Sequence, residues 1–234
     1  MKDQYFGDIN DYRKYGLIRS LLHAGKLRPL IAWMLTPDDR STHGEFTEYL
    51  SHPERWSRYD RELYLKLQEL MGSNAMRAVS LIENTGLLPN AKYFSERVPD
   101  FAAERSQWAS QLVHSAAKTD LVFLDPDNGL EVKSTPYGRK NSSKFLYWRE
   151  VEALWGNGKS LLIYQHFRRE RRTVFIQRMV LELQHHTPGS MVEAFSTPHV
   201  VFLLALQPRH AGYHSELVKD VRRSWDEQIR HWDP

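Results

Sequence analysis

Cysteine is absent from the 234 residues. Its absence excludes disulfides, thiolate zinc sites and a cysteine nucleophile together. It also fits a reducing compartment. No apolar run approaches the roughly 18 residues that a membrane span requires. The opening stretch, MKDQYFGDINDYRKYG, lacks the apolar core of a secretory signal, so the expected location is the cytoplasm. A strong excess of one charge is missing too. The net charge of +3 is by itself weak reason to expect a polyanionic partner. No internal repeat or low-complexity tract interrupts the chain.

What remains is an ordinary composition for a folded domain, 41% hydrophobic and 26% charged. Residues 1–234 read as a single α/β domain, with a helical insertion at about 44–118 and a mobile loop at 132–144. Tyr12, Tyr15, Leu17, Ile18, Leu21 and Leu22 have helical spacing, with Asp8 or Asn10 as cap and Gly25 as stop. The apolar run 27–35 ends abruptly at Thr36-Pro37-Asp38-Asp39 and reads as a buried strand. Residues 44–72 look helical with a break near Pro53, and 101–118 helical again. Further strands are expected at 121–124, 160–164, 191–196 and 199–206, the last two joined too closely for a crossover. Residues 145–156, the stretch from the arginine cluster to Gln184, and 212–231 read as helices. The pattern predicts a three-layer sandwich around a mostly parallel sheet with a C-terminal antiparallel strand pair.

In such sheets ligands bind beyond the carboxyl ends of the strands. Three expected strand ends are polar: Thr36-Pro37-Asp38-Asp39, Asp125-Pro126-Asp127-Asn128 and Gln165-His166. The second is the most informative, since LVFL runs straight into an acidic turn closed by Gly129. Asp, Pro, Asn and Gly are also ordinary turn formers, so the turn alone could simply end a strand. Arg168, Arg169, Arg171 and Arg172 form a dense basic cluster next to His166, suited either to phosphates or to a solvated helix start.

The segment LVFLDPDNG resembles the strand and catalytic turn of Rossmann-like amino-methyltransferases, whose usual form is Asp-Pro-Pro-Tyr. A closer resemblance is to the bacterial 23S ribosomal RNA adenine-N6 methyltransferases, which open on Gly-Asn-His-Ala-Asp-Val-x-Lys-His. The corresponding stretch is Gly7-Asp8-Ile9-Asn10-Asp11-Tyr12-Arg13-Lys14-Tyr15, matching at Gly7, Asp11 and Lys14. The resemblance implies an S-adenosylmethionine-dependent methyltransferase-like protein acting on an amino group of nucleic acid. It implies Asp125, Pro126, Asp127 and Asn128 as the catalytic turn. Gly7, Asp11, Lys14, Thr36 and Asp38 would lie about the cofactor. Arg168, Arg169, Arg171, Arg172 and His166 would meet the nucleic acid. Two departures stand out. No glycine follows the first strand until Gly44, and Asp127-Asn128 replaces the expected Pro-Tyr. Tyr137, Tyr164 or Phe167 could supply the missing ring.

Two other readings use the same residues. Asp125, Asp127 and Glu131, with Lys133, could hold magnesium for phosphodiester cleavage. Alternatively, a fold that has lost its cofactor loop could bind nucleic acid without turnover.

Overall fold

The computed structural model describes residues 1–25, 27–38, 44–72, 76–225 and 227–232. The N-terminal half runs α1 (Ile9–Gly25), β1 (Pro29–Ala32), α2 (Pro53–Trp56), α3 (Arg61–Gly72), α4 (Ser80–Glu83), β2 (Lys92–Phe94), α5 (Ala102–Ser115) and β3 (Leu121–Leu124). It continues through β4 (Gly129–Leu130), β5 (Phe145–Leu146), α6 (Trp148–Gly156), β6 (Ser160–His166) and α7 (Arg172–His186). The end is β7 (Met191–Ser196), β8 (Val200–Leu206), α8 (His214–Trp225) and β9 (Arg230–Trp232).

The main sheet has seven strands in the order β2-β1-β3-β6-β8-β7-β9. The pairs β2–β1, β1–β3 and β3–β6 are parallel, whereas β8 is antiparallel to both β6 and β7. This is the expected three-layer, methyltransferase-like Rossmann arrangement: a parallel block followed by an antiparallel pair. Two short edge strands were not expected. β2 lies inside the stretch read as a helical insertion and closes one edge, so that stretch contributes to the sheet itself. β9 falls where the last helix was expected to continue and pairs with β7 at the other edge.

β3 and β8 are apolar along their whole length, and β6 through Leu161, Leu162 and Ile163, because both faces are covered. Ile31, Phe123, Leu162, Tyr164, Phe202 and Leu204 pack on the side of α1, α3 and α8. Leu30, Val122, Leu124, Leu161, Ile163 and Leu203 alternate with them and pack on the side of α5, α6 and α7. Residues 132–144, expected to be mobile, are tied down at several points. Asp100 accepts hydrogen bonds from the Asn141 and Ser143 amides at 2.9 and 2.8 Å, and the Tyr147 hydroxyl donates to the Thr135 carbonyl at 2.8 Å.

α1 supplies much of the site, and its placement depends on close contact with α8. A Cβ on Gly16 would fall 2.0 Å from Cζ2 of the buried Trp225. Alanine favours a helix interior by about 1 kcal/mol over glycine, yet overpacking at this contact costs about 1–3 kcal/mol. Gly16→Ala is therefore expected to lower stability in urea denaturation, against its helix propensity.

Candidate functional site

The sheet order reverses between β1 and β3, since β1 continues to β2 on one side and β3 leads to β6 on the other. A crevice forms at such a switch point, beyond the carboxyl ends of the strands. Met1 fills it. Its nitrogen donates to the carbonyls of Met34 and Asp125 at 3.2 and 3.0 Å, and its carbonyl accepts from the Thr36 amide at 2.9 Å. Met1 and Thr36 are both buried.

Beside this crevice lies a cavity of about 320 Å³, lined by the start of α1, the Asp125-Pro126-Asp127 turn, Tyr164 and His166 of β6, and Phe46 and His199. α1 begins here because Asp8 caps it. Its Oδ1 accepts the Asn10 amide at 2.8 Å, two positions into the helix, as a capping side chain does. Its Oδ2 accepts the Phe46 amide at 3.2 Å, which holds Phe46 over the cavity.

Lys14 is the centre of the arrangement. Its ammonium lies 2.7 Å from Asp11 Oδ1 and 2.7 Å from Asp125 Oδ2, and all three side chains are almost completely buried. Burial alone would lower the pKa of this lysine. The two carboxylates more than offset that, so its pKa is raised and it remains charged. Asp11 also accepts from the Tyr15 hydroxyl and the Gly7 amide, each at 3.2 Å. Gly7 is suited to this turn, with φ at +80° and Met71 where a side chain would begin.

The other acidic groups have unfilled bonding capacity. Asp127 pairs with Lys2 through Oδ2 at 3.1 Å, but its buried Oδ1 accepts no hydrogen bond among the described residues. Asn10 gives its amide nitrogen to Asp8 Oδ1 at 2.7 Å, which fixes the orientation of the group. Its buried Oδ1 is likewise without a donor among the described residues. His166 stands edge-on to Tyr164 at the cavity mouth, with ring centroids 5.1 Å apart. Partial desolvation lowers its pKa from 6.5, outweighing the pull of Asp127 and Asp125. Phe46 is 67% exposed and stacks on His199 at a ring angle of 8°.

The structure brings together Asp11, Lys14, Asp125, Pro126, Asp127 and His166 of the expected site residues. Several others lie elsewhere. Asn128 is exposed and its amide is bound to the Lys144 carbonyl, because Gly129 turns the chain away into β4. Asp38 accepts from the Gln4 amide at 3.3 Å on the exposed surface. Glu131 caps α6 through the Trp148 amide at 3.0 Å, a use its sequence position does not reveal. The magnesium set of Asp125, Asp127 and Glu131 therefore does not converge, and the Lys14 ammonium occupies the space between Asp11 and Asp125. Of the proposed replacement rings, Tyr164 lines the cavity, whereas Tyr137 packs on Tyr147 and Phe167 on Phe175.

The arginine cluster follows directly on His166. Arg169 and Arg171 are exposed. Arg168 donates to the Glu131 carbonyl at 3.3 Å, and Arg172 donates to the Pro198 carbonyl at 2.6 Å and covers the Phe167 ring. Asp8 and Asn10, read from the sequence as helix caps, also line the cavity, as do Tyr5, Phe46 and His199, which the sequence reading did not single out. Of these, Phe46 and His199 come from distant segments.

No family model matches this chain, and no curated protein does. Among solved structures, the human methyltransferase-like protein 13 in complex with SAH is similar over 95% of each chain, at 13% identity and a TM-score of 0.37. At that score the likeness adds nothing to the fold, which rests on the strand order above.

Removing one partner of a buried ion pair costs about 3–5 kcal/mol. Lys14→Met is expected to destabilise the fold by about that amount in urea denaturation at neutral pH. Because the native pKa of Lys14 is raised, its stabilising contribution is complete below about pH 10.5 and fades as pH rises toward the native value. The stability gap between wild type and variant should therefore shrink only in strong alkali.

Proposed function

We propose that this methyltransferase-like protein holds an amino-bearing base of a nucleic acid in the cavity at the Asp125-Pro126-Asp127 turn. The observation that carries the proposal is a pair of buried acceptors that receive no hydrogen bond among the described residues, Asn10 Oδ1 and Asp127 Oδ1, the latter with the Met1 ammonium 3.9 Å away. A buried acceptor is costly unless a donor reaches it. An exocyclic amine brings two N–H donors and no charge. Phe46 offers an exposed ring at the mouth, and base stacking on such a ring contributes about 1–3 kcal/mol. A base reaches such a cavity only if it is single-stranded or flipped out. Arg169 and Arg171 are placed to meet the phosphates beside it.

The turn resembles that of amino-methyltransferases, but no methylation step follows from this structure. S-adenosylmethionine does not fit the switch-point crevice as it is folded here, because Met1 fills it and residues 33–38 contain no glycine to admit a ligand against the backbone. Within the cavity, this chain's own residues orient the amine: Asp127 and Asn10 accept its protons, while Lys14 keeps Asp125 fixed. Preorganised acceptors of this kind cost no rearrangement on binding.

Fluorescence anisotropy with single-stranded oligonucleotides tests the reading. Adenine- or cytosine-containing strands should bind more tightly than strands of thymine or uracil, which lack an exocyclic amine. Phe46→Ala should weaken binding by about 5- to 150-fold, and Asp127→Asn should erase the preference for amine-bearing bases. Equal retention of both kinds of strand would defeat the proposal. Calorimetry with S-adenosylmethionine on the same protein separates the enzyme from a binding module: retention of amine-bearing strands without any cofactor heat assigns the module.

A further inference from the structure

A second cluster of ligating groups lies at the opposite side of the sheet from β1, where β7 and β9 form the edge. Glu193 of β7, His214 at the first position of α8 and His231 of β9 bring their ligand atoms within 4.8 Å of one another. Glu193 Oε1 is 2.6 Å from His214 Nε2, and Glu193 Oε2 is 2.5 Å from His231 Nε2. The side chains are largely enclosed, at 12%, 29% and 5% exposure in that order.

Hydrogen bonding explains only part of this geometry. The His231 contact is aligned as a hydrogen bond. The His214 contact is not: its Nε2 is buried and has no hydrogen-bond partner among the described residues, although a carboxylate oxygen lies 2.6 Å away. His214 Nε2 is thus buried within ligand distance of Glu193 and His231 without being engaged in a hydrogen bond.

We propose that Glu193, His214 and His231 bind a divalent transition cation of the zinc class, which clamps β9 and α8 onto β7. Two imidazoles and one carboxylate are a ligand set for zinc, with the fourth position left to water. Imidazole donors select zinc over magnesium or calcium. The clamp has a physical purpose. β9 pairs with β7 over three residues only, at a sheet edge, and short edge strands hold weakly without further attachment.

One contact opposes the ion. The Arg222 guanidinium lies 3.0 Å from His231 Nδ1 and can only donate. That places the ring proton on Nε2, where it serves the bond to Glu193. Metal binding at Nε2 moves the proton to Nδ1 and requires Arg222, which is exposed, to swing away. The site thus exists in a hydrogen-bonded form and a metal form, with Arg222 favouring the first.

The test is titration of chelator-treated full-length protein with zinc, followed by calorimetry and thermal denaturation. The expected result is one ion per chain and a melting temperature raised by about 5 °C once zinc exceeds its Kd roughly a hundredfold. Magnesium should give neither. Glu193→Gln and His231→Ala should abolish binding, with circular dichroism checking that each variant is folded. Should either fail to fold, His214→Asn at the more exposed helix start takes its place. Arg222→Ala should tighten zinc binding, a result that a purely hydrogen-bonded triad does not produce. The proposal is overturned by absence of heat and of a thermal shift in large zinc excess. Zinc binding that persists in the ligand variants, or that is unaltered by Arg222→Ala, overturns it equally.

Discussion

One buried ammonium organises the carboxyl edge of the sheet around the candidate site. Lys14 on α1 joins Asp11, three residues earlier, to Asp125 at the end of β3, 111 residues later in the chain. A buried ion pair of this kind is a poor source of stability, since apolar residues of similar volume often serve as well. What it supplies is position. It fixes α1 over the end of β3, and through Asp11 it orders Tyr15 and the Gly7 turn. Gly16 against Trp225 then sets how α1 meets α8. The N-terminal segment enters the crevice beside that fixed strand end, where the Asp125 carbonyl receives Met1.

The same interaction divides the work of the acidic residues. Asp125 was expected to be the principal acceptor for a substrate amine, but its carboxylate is already committed to Lys14. The capacity left over lies two positions along the turn, on Asp127, and on α1, at Asn10. It also explains why no hard cation is needed between Asp11 and Asp125: the lysine provides the positive charge there, permanently and without exchange.

The fold was legible in the chain wherever burial on both faces imposes long apolar runs. LVFL and LLI are strands whose apolar runs follow from helices covering both faces. β2 and β9 were not legible, being edge strands of three residues with exposed or half-exposed side chains such as Lys92 and Arg230. The site was legible in part for the same reason. Asp11 and Lys14 fall on the helix face shared with Tyr15 and Ile18, and charges at apolar positions signal a buried pair. Glu131 misled because a carboxylate that caps a helix and one that holds a metal look alike in sequence. Phe46 and His199 could not be read at all, since Phe46 reaches the cavity through backbone bonds of a distant loop to Asp8 and Ile9.

Under the proposed function, electrostatics decides which end of a nucleotide would enter. Asp8, Asp11, Asp125 and Asp127 surround the cavity, and the cations beside them, Lys14, Lys2 and the Met1 ammonium, are already paired. A phosphate placed there would meet carboxylates in a medium of low dielectric, where repulsion is strong. A neutral base with outward N–H groups meets acceptors instead. The arginines begin two residues after His166, outside the mouth, where solvent lowers the cost of collecting charge. A nucleotide held as proposed would have its two parts separated along one short path, from the Asp125-Pro126-Asp127 turn through His166 to Arg171. That polarity follows from the placement of charge alone, and it holds whether the bound amine is modified or only held.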